Sequence, residues 1–401
     1  VTFSATNNGN GLQLIGTAQA DTITGGTGTD TLTTSGGNDR LTGGLGADVF
    51  NVTVGGTATI TDLGTGETFT VAAGSSVVAT VTSAFTANAA NQNNGGAIGN
   101  AVINTSGIAV DMANVVAGNG FTITNSGAAG TSLAGSALAD SITGGTGNDS
   151  INTIGGNDTV SAGAGNDQIT TTAAAELINA DEGNDTIVGN TGADTLNGGA
   201  GDDTFSFASG VAVTAGMQLN AGEGTNTLIG NSDNLAVATT NFTGLGSSNT
   251  TSSGLLTANK IGRVLVGTNA AGAADVTFTG AQLNAEAVAF NNQAAANGAQ
   301  VQVNATANGT TDLSALTFAA FGANTAFRTG IDVFSIDGGA GNEVIIGSTI
   351  ADDIDGQGGA NTITGGNGID TFNITAGNDT ITDLGQGGAD VIVWTAGVGT
   401  A

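Results

Sequence analysis

Apolar residues recur along this chain at an interval that is neither the 3.6 of an amphipathic helix nor simple alternation. In the middle, Ile142, Ile151, Val160, Ile169, Ile178, Ile187, Leu196 and Phe205 follow one another nine residues apart. Two places before each stands an acidic residue: Asp140, Asp149, Asp158, Asp167, Glu176, Asp185, Asp194 and Asp203. The same register holds Asp21, Asp30, Asp39 and Asp48 early in the chain. Late in the chain it holds Glu343, Asp352, Asn361, Asp370 and Asp379, beside Ile345, Ile354, Ile363, Phe372 and Ile381. Short apolar steps separated by glycine-rich stretches predict short strands joined by tight turns. Each apolar residue is expected to point inward and fill a thin core. Repetition at a fixed period marks a solenoid. Helix caps, charge pairs and a helical period are missing, so the expected class is all-β with little or no helix.

The repeats form three blocks that align with one another: ADTITGGTGTDTLTTSGGNDRL, ADSITGGTGNDSINTIGGNDTV and ANTITGGNGIDTFNITAGNDTI. The first and third close on similar phrases, TITDLGTGETFTV (59–71) and TITDLGQGGADVIV (380–393), which read as terminators. The organisation expected is a first repeat block with terminator at 1–71, an irregular solenoid segment at 72–135, and the longest block at 136–230. A second solenoid segment at 231–335 and a third block with terminator at 336–401 complete it. VTFTGAQL (276–283) and VQVNAT (301–306) alternate as strands do. The lead-ins TSLAGSALADSITGG (131–145) and EVIIGSTIADDIDGQGG (343–359) run straight into repeats, which favours one continuous parallel solenoid of changing cross-section.

GGTGTDTLT (25–33), GGTGNDSIN (144–152), GGAGDDTFS (198–206) and GGNGIDTFN (365–373) match the nonapeptide G-G-x-G-x-D-x-U-x. At these residues the chain resembles the RTX family of secreted bacterial proteins. The resemblance covers residues 16–71, 136–230 and 336–393. It implies a right-handed parallel β-roll in which two nonapeptides make one coil of turn, strand, turn and strand. It also implies multiple Ca²⁺ ions, held between adjacent turns by aspartates and by main-chain carbonyls of the glycine region.

The spacing suits that ion. Residues eighteen apart would stack at the strand separation of about 4.8 Å. Two carboxylates at that distance repel by roughly 1 kcal/mol in water and by more in a protein interior. Calcium–oxygen distances of about 2.3–2.6 Å place opposite ligands about 5 Å apart, so the ion fits the coil spacing. On this register Asp21 pairs with Asp39, Asp30 with Asp48, Asp140 with Asp158, and Asp149 with Asp167. Asp158 then pairs with Glu176, Asp167 with Asp185, Glu176 with Asp194, Asp185 with Asp203, and Asp352 with Asp370. The turn glycines are Gly26, Gly28, Gly37, Gly145, Gly147, Gly156, Gly163, Gly165, Gly199, Gly201, Gly366 and Gly368. They accept unusual backbone angles and let carbonyls approach the metal. The resemblance extends the candidate ligands to Glu343, Asn361, Asp379 and the terminator residues Asp62, Asp383 and Asp390. The alternative is an Asn/Asp turn ladder that holds the solenoid without metal. It is strongest where the pattern departs from the family, in TTAAAE (171–176) with Glu176, in AGEGTN (221–226) with Asn226, and at Asn361.

Composition narrows the function. The chain has a net charge of −29 and four basic residues among 401. Such a surface disfavours nucleic acid, which needs Lys and Arg for its phosphates. Without Cys or His, thiolate and histidine chemistry and the common zinc sites are excluded. No GxSxG motif stands in for them, and the paired carboxylates have a better use as metal ligands than in glycosidase chemistry. The chain is therefore expected not to be an enzyme. No apolar run is long enough to span a membrane as a helix, and no insertion is expected. The chain opens at Val1 without methionine or signal-peptide pattern and stops in DVIVWTAGVGTA, as an ordered portion of a longer or processed protein would.

Gly-, Thr-, Ala- and Asn-rich RTX chains with almost no Lys resemble bacterial S-layer proteins. This implies an extracellular, cell-surface structural protein whose principal partner is itself, with cell-surface polysaccharide as a further candidate. By the same resemblance, export would be by type I secretion. The competing expectations are the stalk or ligand-binding segment of a large RTX adhesin and the non-catalytic repeat region of a secreted RTX enzyme. Lys260 and Arg263 read as a surface pair neutralising acidic neighbours, or as an electrostatic contact to a neighbouring subunit. Sequons such as Asn51-Val52-Thr53 and Asn249-Thr250-Thr251 are expected by chance in a chain this rich in Asn and Thr, and imply no glycan.

Overall fold

The nine-residue period folds as strand and turn in strict succession. Ser141–Gly145, Ser150–Asn152, Thr159–Gly163, Gln168–Thr170 and Leu177–Asn179 are strands that fall alternately into two parallel sheets. Ile142 pairs with Val160 and Val160 with Ile178 in one sheet, while Ile151 pairs with Ile169 in the other. One coil is therefore two nonapeptides.

The computed structural model describes residues 1–5, 9–53, 55–96, 100–207, 217–224, 226–230, 261–266, 276–279, 289–292, 300–305, 308–319 and 333–394. Among them the elements are strands without an α-helix, and the strand pairings are parallel. The fold is an all-β parallel solenoid. The chain divides into two compact units, Val1–Ile187 with Asp194–Gly199, and Val188–Ala193 with Ala200–Ala401.

In the first unit a single file of apolar side chains runs along one sheet. Ile23, Leu41, Ile60, Ala79, Ile103, Ile123, Ile142, Val160, Ile178 and Leu196 each pair with the next. Each is 0–1% exposed. Full burial of one such side chain stabilises by about 1.5–3 kcal/mol. Alternate residues of each strand face outward, as in Thr31–Thr33 and Val49–Val52, because successive side chains of a strand point to opposite faces.

Residues 72–135 continue this file but widen the coil. Ala101 pairs with Val77, and Thr122 with Val102, in place of partners eighteen residues away. One coil holds three strands, Ser76–Val81, Phe85–Thr86 and Gln92–Asn93. Gln92–Asn93 ends the sheet that carries Leu32, Phe50 and Phe69, and Phe85–Thr86 begins the sheet that later carries Leu133 and Ile151. Aromatic rings fill the larger section: Phe69 lies 6.2 Å from Phe85 and 6.0 Å, edge to face, from Phe121. The cross-section therefore changes within 72–135.

In the second unit Val303, Ile336, Ile354 and Phe372 form a buried file along one sheet, and Thr311, Ile345, Ile363 and Ile381 pair along another. Val276–Thr279 and Gln300–Asn304 are strands where alternation predicted them. Arg263 falls in strand Ile261–Val266. Lys260, the sequon at Asn249, residues 280–283 and most of segment 231–335 lie outside the described residues.

Candidate metal centres in the turns

Each acidic residue of the register closes a turn just before its strand, so its position follows directly from the apolar file. Its carboxylate reaches the residue eighteen places earlier. The N–H of Asp21 donates to Asp39 Oδ1 at 2.8 Å, that of Asp30 to Asp48 at 2.7 Å, and that of Asp140 to Asp158 at 2.6 Å. The N–H groups of Asp149, Asp167 and Glu176 donate to Asp167, Asp185 and Asp194 at 2.7, 2.7 and 3.0 Å. In the second unit the N–H of Asp352 donates to Asp370 at 2.9 Å. The spacing-derived pairs at these positions are thus in direct contact. Asp158 and Glu176 differ. The longer Glu176 side chain turns to Thr172 and Thr153, with Oε1 accepting from the Thr172 N–H at 2.9 Å and from the Thr153 hydroxyl at 3.0 Å.

One oxygen of each carboxylate is thus used, and the other is the telling one. Oδ2 of Asp39, Asp48, Asp149, Asp158, Asp167, Asp194 and Asp370 is buried without a hydrogen-bond partner, as is Oε2 of Glu176. A buried anionic oxygen without a partner costs kilocalories. Here the cost is repeated in columns. Burial pushes four of the aspartates upward: Asp149 and Asp370 to about 6, Asp194 to about 7, and Asp158 to about 8, with neighbouring carboxylates adding to the effect. A chain with four basic residues cannot supply the missing cations itself.

The first glycine of these turns makes room beside the unserved oxygen. A Cβ on Gly43 would lie 2.3 Å from Asp48 Oδ2, and one on Gly365 2.3 Å from Asp370 Oδ2. The second glycine allows the stack itself. Gly163 has φ +106°, and a Cβ there would lie 2.0 Å from the Gly145 carbonyl oxygen. Gly26, Gly37, Gly145, Gly156, Gly165, Gly199, Gly201, Gly366 and Gly368 also have positive φ, whereas Gly28 and Gly147 do not. Among the described residues no three acidic groups converge on one point, so any cation held here takes a mixed set of carboxylate and main-chain oxygens. Hard oxygen donors of this kind suit Ca²⁺, which accepts six to eight of them in flexible geometry. When bound, the ion supplies positive charge and ligation to the unserved oxygens. The residues present fit it.

The columns have ends that the spacing conceals. Asp140 Oδ2 accepts from the Ser136 N–H at 2.5 Å and from its hydroxyl at 2.9 Å. Asp352 is served likewise by Ser348, and Asp21 by the N–H and hydroxyl of Thr17. The first acid of these three columns is therefore satisfied by a hydroxyl residue four places earlier, in the lead-ins GTAQAD, GSALAD and GSTIAD. Glu343 accepts from the Asn308 N–H at 3.1 Å. In the terminators Asp62 takes the N–H of Gly43 and Gly44 at 3.0 and 2.9 Å, one on each oxygen, and Asp383 takes those of Gly365 and Gly366, both at 2.8 Å. Asp390 continues its column by accepting from the Asp370 N–H at 3.0 Å. Its counterpart in the first terminator is Glu67, which nine-residue counting misses because Val49 pairs with Thr68, one residue beyond the regular spacing. Glu67 is 3% exposed, and burial pushes it up to about 8.

The architecture is that of a parallel β-solenoid with carboxylate columns in glycine turns. Residues 15–50, 135–169, 171–211 and 337–372 match the family model of the RTX calcium-binding nonapeptide repeat. In these four segments the chain carries RTX calcium-binding nonapeptide repeats. No curated protein matches it.

Proposed function

We propose that this calcium-binding repeat protein is a structural component of a bacterial extracellular surface layer or filament, exported unfolded, folded by calcium outside the cell, and self-assembling there. The observation that carries the reading is the set of carboxylate columns with buried, unserved oxygens, which ties the fold to a cation abundant outside cells. The distribution of chemistry supports an architectural role. The acidic groups of the register serve the turns, and the composition lacks the His, Cys and Tyr on which most protein catalysis relies. The protein is proposed not to be an enzyme. Its partner is proposed to be a second copy of itself, with cell-surface polysaccharide as the surface to which the layer attaches.

Electron microscopy of the purified chain, with calcium and with chelator, tests this. Sheets or fibres that form in millimolar calcium and dissolve in chelator are expected. At a net charge of −29, monovalent salt alone is not expected to replace calcium in assembly. A chain that folds in excess calcium yet scatters light as a monomer at high concentration overturns the reading in favour of an adhesin stalk.

A further inference from the structure

Two turns of the register carry asparagine where the others carry an acid, and the contacts of Asn361 show what the change does. Its Nδ2 donates to the Gly356 carbonyl at 2.8 Å, to the Gly358 carbonyl at 3.2 Å and to Asp379 Oδ1 at 2.8 Å. Two main-chain carbonyls of one turn and the carboxylate eighteen residues on thus converge on a single nitrogen. These are the oxygen types that a cation would gather in an acidic turn. The amide orientation is fixed by chemistry, because Asn361 Oδ1 accepts from the Glu343 N–H at 2.8 Å. A flip would set an oxygen against three acceptors and an N–H₂ against an N–H. Asn361 is 1% exposed, so water does not do this work.

Asn226 repeats the arrangement in a different block. Its Oδ1 accepts from the Asp203 N–H at 2.7 Å, keeping the ladder, while Nδ2 donates to the Glu223 carbonyl at 3.3 Å. Glu223 stands three residues before Asn226, as Gly358 stands before Asn361.

We propose that Asn361 and Asn226 are metal-independent staples, in which the side-chain amide stands in the cation's place and satisfies the turn that calcium satisfies elsewhere. The acid-to-amide change keeps the oxygen that the ladder needs and replaces the unserved second oxygen by a donor. It also places a neutral group between Glu343 and Asp379, which would otherwise stack three carboxylates. Stretches held this way stay closed at calcium levels that empty the acidic turns. The inference rests on calcium binding by those turns.

Native mass spectrometry of the full chain in calcium, which counts ions one by one, tests it. Asn361→Asp is expected to bind one more ion than wild type, and the Asn226→Asp/Asn361→Asp double variant two more. In chelator Asn361→Asp is expected to melt below wild type, and in millimolar calcium to regain that loss. Asn361→Ala, which removes both the donor and the ladder oxygen, is expected to melt below wild type in both conditions and to gain no ion. A folded Asn361→Asp chain with the wild-type ion count overturns the inference while leaving calcium binding intact. A wild-type chain that binds no ion overturns the calcium reading itself.

Discussion

Asp140 and Asp149 stand one repeat apart and occupy different chemical situations. The second oxygen of Asp140 is held by Ser136, and that of Asp149 is buried with no partner. Substitutions separate the two. Ser136→Ala removes a donor that the protein itself supplies, so it is expected to cost about 1–3 kcal/mol in calcium and in chelator alike. Asp158→Asn removes an oxygen that a cation serves. It is expected to lower the melting temperature in calcium and to raise it in chelator, where the stacked charge is lost. Paired thermal melts with and without calcium read both effects, and equal shifts for Asp158→Asn in the two conditions would refute the assignment. The acidic turn positions were legible from spacing alone, because each must precede its inward apolar residue by two positions. The hydroxyl partners were not. In a chain rich in Thr and Ser, Thr17, Ser136 and Ser348 carry no distinguishing pattern until their distance to the carboxylate is known. The first glycine of each turn was hidden for a similar reason, since its role is the space it leaves beside an oxygen.

A whole turn column responds to pH in a direction set by its burial. Without calcium, burial raises Asp149 and Asp370 to about 6, Asp194 to about 7 and Asp158 to about 8, against an unfolded value near 4. The folded, metal-free chain therefore binds more protons than the unfolded chain between those limits. Its stability is full below about pH 4 and falls as pH rises through 6 to 8. Circular dichroism of desalted, calcium-free protein is expected to show more β-structure at pH 5 than at pH 8, with millimolar calcium at pH 8 restoring it. A metal-free chain equally ordered at both values would contradict the buried carboxylate columns. Strand positions in the regular coils were legible because the period and the pairing register coincide. They lose that coincidence in 72–135, where Val77 pairs with Ala101 and a third strand enters the coil. Glu67 was lost to the same cause, one extra residue between paired positions. The aromatic cluster of Phe69, Phe85 and Phe121 is a product of coil widening and has no periodic signature.

At the scale of the molecule, a thin core leaves the metal much of the work. One apolar side chain per nonapeptide gives each coil few buried contacts, and neighbouring coils must hold one another through their interfaces. A site held at 100 times its dissociation constant adds about 2.7 kcal/mol, and a column of three such sites adds about 8 kcal/mol, comparable to the usual stability of a domain. Chelation is expected to lower the melting temperature, to weaken the β-sheet circular dichroism and to enlarge the hydrodynamic radius as the net charge of −29 loosens the chain. Sheet signal fully retained in chelator would rule out a folding role for the ion.

The ladder that joins the coils also has an arrow. In the regular contacts the N–H of the earlier coil donates to the carboxylate of the later one, as Asp140 does to Asp158 and Asp149 to Asp167. In this ladder the two faces of a coil are unlike, one offering carboxylate acceptors and the other N–H donors, while the main-chain bonds of the sheets run both ways. The carboxylate ladder thus gives the stack a direction, and its two ends are unlike.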